Sequence, residues 1–123
     1  MAAASSLINI GTRQSGPNTI VDINGDITLR STPEVRKALL DLLREKSTVR
    51  VVVNLEKVRY IDSAGVASLV EALRVARDIK RGFALYGLNR VARQVLELTR
   101  LTKVFEIHDD EAAALKNSAS PES

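Results

Sequence analysis

The chain contains no cysteine, no tryptophan, one histidine and four Phe or Tyr residues among its 123 positions. The absence of cysteine excludes disulfide bonds and thiolate metal sites, and it is compatible with a cytoplasmic protein. A single histidine, His108, excludes a histidine-rich metal centre. No apolar run approaches the 18 residues that suggest a membrane-spanning helix. The first six residues also lack the basic and apolar regions of a signal peptide. We therefore expect no membrane span, metal or secretion signal.

The charge distribution argues against direct binding of nucleic acid. The formal net charge is +3, but 18 basic residues are interleaved with 15 acidic ones. The longest basic stretches, Arg36-Lys37 and Lys80-Arg81, have two residues each, and no basic segment alternates with aromatic residues. A hydrophobic content of 45% is enough for one core. We expect one domain over residues 7–116, a flexible N-terminus at residues 1–6 and a polar, disordered tail at residues 117–123.

Strand and helix patterns alternate along most of the chain. The segments 7–10 and 19–23 read as strands, and the turn formers between them predict an antiparallel hairpin. Later strands are predicted at 49–53, 83–86 and 104–107. Helices are predicted to begin at Ser31 or Thr32, at Asp62 or Ser63, at Asn89 and at Asp109, with Gly82 directly after the second helix.

Alternating strands and helices require crossover connections, and these join parallel strands. The predicted fold is therefore a small α/β domain. It has a mixed, mainly parallel sheet with an N-terminal antiparallel strand and four helices. Because sites in such sheets lie beyond the carboxyl ends of the parallel strands, residues 26–31 and 61–65 should meet at one end of the molecule.

The segment Ile61-Asp62-Ser63-Ala64-Gly65 lies where a buried strand gives way to an amphipathic helix. Asp and Ser are good N-cap residues, and glycine allows close approach to the first turn. A hydroxyl at the start of a helix faces free backbone amides and the positive end of the helix dipole, which suits a phosphate. Serine at this position is also common for structural reasons alone, so capping does not assign it a function.

Other chemistry is poorly supplied, and we expect no catalytic residue and no cofactor. The chain has neither the G-x-S-x-G elbow that presents a nucleophilic serine nor a G-x-x-x-x-G-K-[ST] phosphate loop. Asp109, Asp110 and Glu111 follow His108 and could form a weak cation cluster. Acidic residues at that spacing more commonly open a helix, where they complement its dipole.

The segment 54–66 resembles the signature of the STAS domain family, in its bacterial anti-sigma factor antagonist branch. The resemblance rests on Asn54-Leu55, a short loop, Tyr60-Ile61, then Asp-Ser-Ala-Gly and an apolar helix. Residues 21–28 are similar to the family's strand that ends in Gly and an acidic residue. Residues 83–89 and 99–105 are similar to its last strand–helix unit and the connection that follows, which here lacks the usual glycine.

The resemblance implies that Ser63 is the residue phosphorylated by a partner. That partner would be an anti-sigma serine kinase of the histidine-kinase-like ATPase fold, and a serine phosphatase would restore the unmodified form. Unphosphorylated protein would bind the kinase and release a sigma factor. The predicted partner surface comprises Asp26, Thr28, Arg30, Ser31, Asp62, Ala64, Gly65 and Val66.

One position departs from the pattern of the phosphorylated members. Many of them carry a second acidic residue two positions after the first, and this chain has Thr28 there. Thr28 favours the alternative function, an unphosphorylated STAS scaffold in a stress-signalling assembly or a lipid-transport complex. Asp26 retains the first acidic position.

Overall fold

The computed structural model describes residues 8–116. The segments predicted to be flexible, 1–6 and 117–123, lie outside the described residues, as does Leu7. The strands are β1 (Asn9–Ser15), β2 (Asn18–Asn24), β3 (Arg50–Lys57), β4 (Gly82–Tyr86) and β5 (Glu106–His108). The helices are α1 (Thr32–Arg44), α2 (Ser63–Asp78), α3 (Arg90–Leu98) and α4 (Glu111–Lys116).

The five strands form one sheet in the order β1-β2-β3-β4-β5. Strand β1 pairs with β2 in antiparallel fashion, from Asn9 opposite Asn24 to Ser15 opposite Asn18. All other neighbouring strands are parallel. The two-residue hairpin turn contains Gly16, whose φ of +59° favours glycine. The predicted mixed, mainly parallel sheet with four helices is confirmed.

The two faces of the sheet are covered unequally. Alternate residues of each strand point to opposite faces, so one face buries Val21, Val53 and Leu85 together with apolar side chains of α1, α2 and α3. The other face buries Ile20 and Val52 in a smaller cluster with α4. The larger core therefore lies between the sheet and the three long helices.

Polar contacts attach α4 to the second face. The Arg13 guanidinium makes two hydrogen bonds to Asp22, of 2.6 and 2.8 Å, and donates to Glu111 of α4 at 2.8 Å. The Tyr86 hydroxyl also donates to Glu111, at 2.7 Å. Hydrogen bonds from Arg13 lower the pKa of both carboxyl groups, whereas burial and the Glu111 carboxylate raise the pKa of Tyr86. These bonds connect β1, β2, β4 and α4.

A second contact joins β3 to the C-terminal elements through a buried cation. The Arg50 side chain is only 4% exposed and pairs with Glu106 at 2.7 Å. Its guanidinium also donates to the Ala114 carbonyl at 2.9 Å and to the Asn18 side chain at 3.2 Å. Because burial disfavours the charged form, the pKa of Arg50 is lowered. Its three partners compensate for the lost hydration.

Several element boundaries differ from the predictions. Gly82 does not follow α2 as its left-handed residue, because Lys80 takes that conformation with φ of 61° and Gly82 begins β4. A side chain at Gly82 would meet the Arg50 side chain at 2.8 Å, which accounts for glycine there. Strand β1 continues to Ser15 although its residues beyond Ile10 are exposed. Strand β5 begins at Glu106, later than predicted.

Replacing Arg50 with methionine should destabilise the domain by about 3 kcal/mol, because Glu106, Asn18 and the Ala114 carbonyl each lose a hydrogen bond from the buried guanidinium. The matched control is Arg36→Met, which removes a pair with Glu71 whose side chains are 53% and 40% exposed. That change should cost less than about 1 kcal/mol. Urea unfolding of both variants measures the difference. Equal stabilities would show that the Arg50 contacts contribute no more than a surface pair.

Candidate functional site

Two loops meet beyond the carboxyl ends of β2 and β3. Ile27 and Ile61 form an isolated parallel bridge. The Ile27 amide donates to the Tyr60 carbonyl at 3.0 Å, and the Asp62 amide donates to the Ile27 carbonyl at 3.2 Å. Both isoleucine side chains are buried. The structure thus brings residues 26–31 next to residues 61–65, as the predicted topology requires.

Asp62 connects this loop to helix α2. It is the N-cap residue, and its Oδ1 accepts a hydrogen bond from the Gly65 amide at 2.8 Å. Its Oδ2 accepts one from the Leu29 amide at 3.1 Å. A charged acceptor at a helix N-terminus also interacts favourably with the dipole. Both carboxylate oxygens of Asp62 are therefore used to hold the site together.

Gly65 allows the loop and the helix to approach each other closely. A Cβ atom at this position would lie 2.2 Å from the Ile27 carbonyl oxygen and 2.8 Å from the Ile61 side chain. Distances below 3.0 Å are not tolerated by real Cβ atoms, and the carbonyl belongs to the backbone. The requirement for glycine here arises from packing and not from the backbone conformation.

Ser63 is the first residue of α2 and its side chain is exposed. The Val66 amide donates the first hydrogen bond of the helix, to the Asp62 carbonyl at 2.9 Å, and the Gly65 amide donates to the Asp62 side chain. Within the described residues, the backbone amides of Ser63 and Ala64 have no acceptor. An oxyanion attached to Ser63 would lie at this helix N-terminus, where unpaired amides and the dipole favour negative charge.

The loop 26–31 is held by Ser31, which precedes α1. Its hydroxyl donates to the Asp26 carbonyl at 2.8 Å and accepts from the Thr28 amide at 3.0 Å, and it does not cap the helix. Asp26 and Thr28 are half-buried, and Arg30 is exposed. Among the other predicted residues, Ala64 is half-buried, whereas Ser31, Gly65 and Val66 are buried. The buried side chains of Ser31 and Val66 are not accessible to a partner, so these three residues can only determine the shape of the surface.

Sequence reasoning missed three residues of this site. Leu29 is 71% exposed and Tyr60 47% exposed, so two apolar side chains protrude from the loops that meet here. The Asn89 side chain caps α3 and also donates to the Arg59 carbonyl at 3.0 Å, which ties α3 to the loop before Asp62. An apolar residue in the otherwise polar stretch 28–32 was the available signal for Leu29.

The acidic residues near His108 have structural partners. Asp110 accepts a hydrogen bond from the Ala113 amide at 2.9 Å in the first turn of α4, and Glu111 pairs with Arg13. His108 lies 2.6 Å from Glu106. No group of His, Cys, Asp or Glu residues within 8–116 is arranged to hold a metal ion. In the same range, no helix is both long and apolar enough to cross a membrane.

Comparison with known proteins gives the family. The STAS domain model matches residues 9–114. The chain belongs to the STAS domain family. An anti-sigma-B factor antagonist of Listeria monocytogenes is 28% identical to this STAS protein over 97 residues, which cover 79% of this chain and 84% of that one. The family and its anti-sigma factor antagonist relatives agree with the resemblance in the sequence.

Two solved structures are similar to this STAS domain. An anti-sigma-factor antagonist (STAS) domain protein from Planctomyces limnophilus has a TM-score of 0.80 at 20% identity and covers 90% of this chain and 98% of that one. The Bacillus cell fate determinant SpoIIAA, in its phosphorylated form, has a TM-score of 0.68 at 14% identity, with coverages of 88% and 98%. At these identities the similarity shows the fold.

Replacing Gly65 with alanine should destabilise the domain by about 2 kcal/mol, because the clash with Ile27 exceeds the helix-propensity gain of alanine. Gly11→Ala is the matched control, since nothing lies within 4 Å of a Cβ at that position. That variant should be as stable as the parent or slightly more so. Thermal unfolding followed by circular dichroism tests the pair. An unchanged melting temperature for Gly65→Ala would contradict the close contact.

Proposed function

We propose that this STAS protein is an anti-sigma factor antagonist controlled by phosphorylation of Ser63. In its unmodified form it binds an anti-sigma serine kinase of the histidine-kinase-like ATPase fold, which then releases its sigma factor. A serine phosphatase returns the modified protein to the binding form. The proposal places the protein in the cytoplasm, where it acts as a substrate and binding module without catalytic activity of its own.

The observation that carries this proposal is the exposed Ser63 hydroxyl at the start of α2. The neighbouring positions Ala64 and Gly65 are small, so a kinase active site can approach the hydroxyl closely. The free backbone N–H groups of Ser63 and Ala64 can donate hydrogen bonds to the phosphate oxygens once the phosphate is formed. The curated relatives are named as anti-sigma-B factor antagonists, and these names support the same role.

The switch follows from the charge that the phosphate adds. Phosphorylation contributes about −1.5 to −2 charges at pH 7. In the free protein, solvent and the helix dipole tolerate this charge. In a closed interface it would be desolvated beside the carboxylates of Asp26 and Asp62, and this repulsion disfavours the complex. A loss of about 3 kcal/mol weakens binding roughly a hundredfold, which is enough to exchange partners.

The second candidate function is constitutive association as a scaffold subunit. Thr28 favours it, because this half-buried, uncharged side chain stands where many phosphorylated members carry an acid. The same surface, including Leu29 and Tyr60, would then bind a partner without modification. Neighbouring genes distinguish the two functions: a serine kinase gene favours the switch, and transporter genes favour the scaffold.

Ser63 should be the only stoichiometric phosphoacceptor when the protein is incubated with such a kinase and ATP. Intact-mass analysis should show one added phosphate, and phosphopeptide mapping should place it on Ser63. Ser63→Ala should keep its affinity for the kinase and remain unmodified. A main phosphate on Thr28, Ser31 or the serines after residue 116 would overturn the assignment.

The charge itself is tested with Ser63→Glu, measured beside Ser63→Ala by calorimetric titration with the kinase. The glutamate should weaken binding by roughly ten- to a hundredfold. Its fold should remain intact, because a negative charge suits the first turn of a helix. Equal affinities of the two folded variants would remove the charge-based mechanism.

Thr28→Asp should change the affinity for the kinase or the rate of Ser63 phosphorylation, with little effect on thermal stability. Thr28 lies at the rim of the proposed interface, where an added charge mainly alters association rate and salt dependence. The control is Arg36→Ala, farther along the exposed side of α1, which should have a smaller effect. If Thr28→Asp changed neither binding nor phosphorylation, the loop 26–31 would not belong to the interface.

A further inference from the structure

The amino ends of the parallel strands, at the other end of the domain from Ser63, carry a surface that the proposed switch does not use. Helices α2 and α3 end at Asp78 and Leu98, and the segments that follow them lead into β4 and β5. These segments therefore lie at the amino ends of the parallel strands, away from Ser63. We call residues 74–81 and 98–104, together with Val49, the amino-edge surface.

This surface is much more basic than the rest of the protein. Of the fifteen residues in 74–81 and 98–104, six are Arg or Lys and one is Asp, a net charge of +5 compared with +3 for the whole chain. Elsewhere, cations such as Arg13 and Arg36 pair with carboxylates. Within the described residues, none of the six forms an ion pair: Arg74, Arg77, Lys80, Arg81, Arg100 and Lys103.

Each of the two helices is followed, two residues after its last residue, by a cation in a conformation that favours glycine. Lys80 follows the C-cap residue of α2 with φ of 61°, and Arg100 follows that of α3 with φ of 62°. Glycine is the usual residue at such positions. A cation there complements the negative end of the helix dipole. The same placement puts two exposed positive charges at the amino ends of the parallel strands.

Hydrogen bonds show that the two segments are adjacent. The Arg77 guanidinium donates to the Val104 carbonyl at 3.4 Å, which joins the end of α2 to the loop after α3. The Gly82 amide donates to the Val49 carbonyl at 3.0 Å, which places Val49 beside the start of β4. The cations therefore share one continuous surface.

Apolar side chains protrude from the same surface. Leu98 is 84% exposed, and Val49, Ile79 and Val104 are exposed by 48%, 39% and 37%. They project from helix ends and turns, between the cations. Single apolar side chains interspersed with Lys and Arg are typical of surfaces that insert into the headgroup region of anionic membranes. They have no role in binding a nucleic acid backbone.

We propose that the amino-edge surface binds the surface of an anionic lipid bilayer. The cations attract acidic headgroups, and Leu98 with its apolar neighbours enters the boundary between headgroups and acyl chains. Because Ser63 lies at the other end of the domain, beyond the carboxyl ends of the strands, a protein bound in this way still exposes the candidate phosphorylation site to a partner. The inference is independent of whether Ser63 is modified.

Co-sedimentation of the full chain with vesicles tests the proposal. The protein should bind phosphatidylcholine vesicles that contain phosphatidylglycerol at low ionic strength, and bind pure phosphatidylcholine vesicles weakly. Lys80→Gln with Lys103→Gln should weaken binding by about twenty- to thirtyfold, since each cation near such a surface contributes about fivefold. Leu98→Ser should weaken it severalfold without changing the net charge.

The control is Lys37→Gln with Lys57→Gln, which removes the same formal charge from outside this surface and should change binding by less than about twofold. Circular dichroism confirms that each variant is folded. Equal losses in both double variants, or equal binding to vesicles with and without phosphatidylglycerol, would overturn the proposal. Binding to polyglutamate without binding to anionic vesicles would also overturn it, and would indicate an acidic protein as the partner.

Discussion

The carboxylate of Asp62 is the contact on which the candidate site depends. One oxygen holds the first turn of α2, and the other holds the Leu29 amide, which lies 33 positions earlier in the chain. At this point neither loop is part of a helix or a paired strand, apart from the single bridge between Ile27 and Ile61. Without the carboxylate, only the two backbone hydrogen bonds of Ile27 and apolar packing would hold Ser63 against the loop 26–31.

Gly65 makes that contact possible. The Asp62 side chain can reach both amides only if the loop lies directly against the helix, and any side chain at Gly65 would occupy the space of the Ile27 carbonyl. Conversely, if residue 62 were apolar, the loop could still pack against Gly65, but the Leu29 amide would lose its acceptor. The two residues are therefore required together, which explains in physical terms why the Asp-Ser-Ala-Gly element forms a unit.

The fold was predictable because its signals are local. β-branched runs, turn formers and cap residues such as Asn89 determine the order of elements, and this order limits the sheet to a few topologies. The convergence of the loops near Ser63 followed from that topology. What could not be predicted depends on tertiary contacts. Gly82 is required because a side chain there would clash with Arg50. Lys80 adopts the left-handed conformation after α2, although propensity alone favours glycine for that position.

The strictly sequential strand order has a consequence for synthesis of the chain. Each strand pairs with the one that precedes it, so no later strand is inserted between earlier ones. Each new strand can therefore be added next to the preceding strand as the chain leaves the ribosome. Residues 26–31 and 61–65, which form the loops at the Ser63 end, are synthesised before the Lys- and Arg-rich segments 74–81 and 98–104. The two loops around Ser63 can thus be in place before the amino-edge surface is complete.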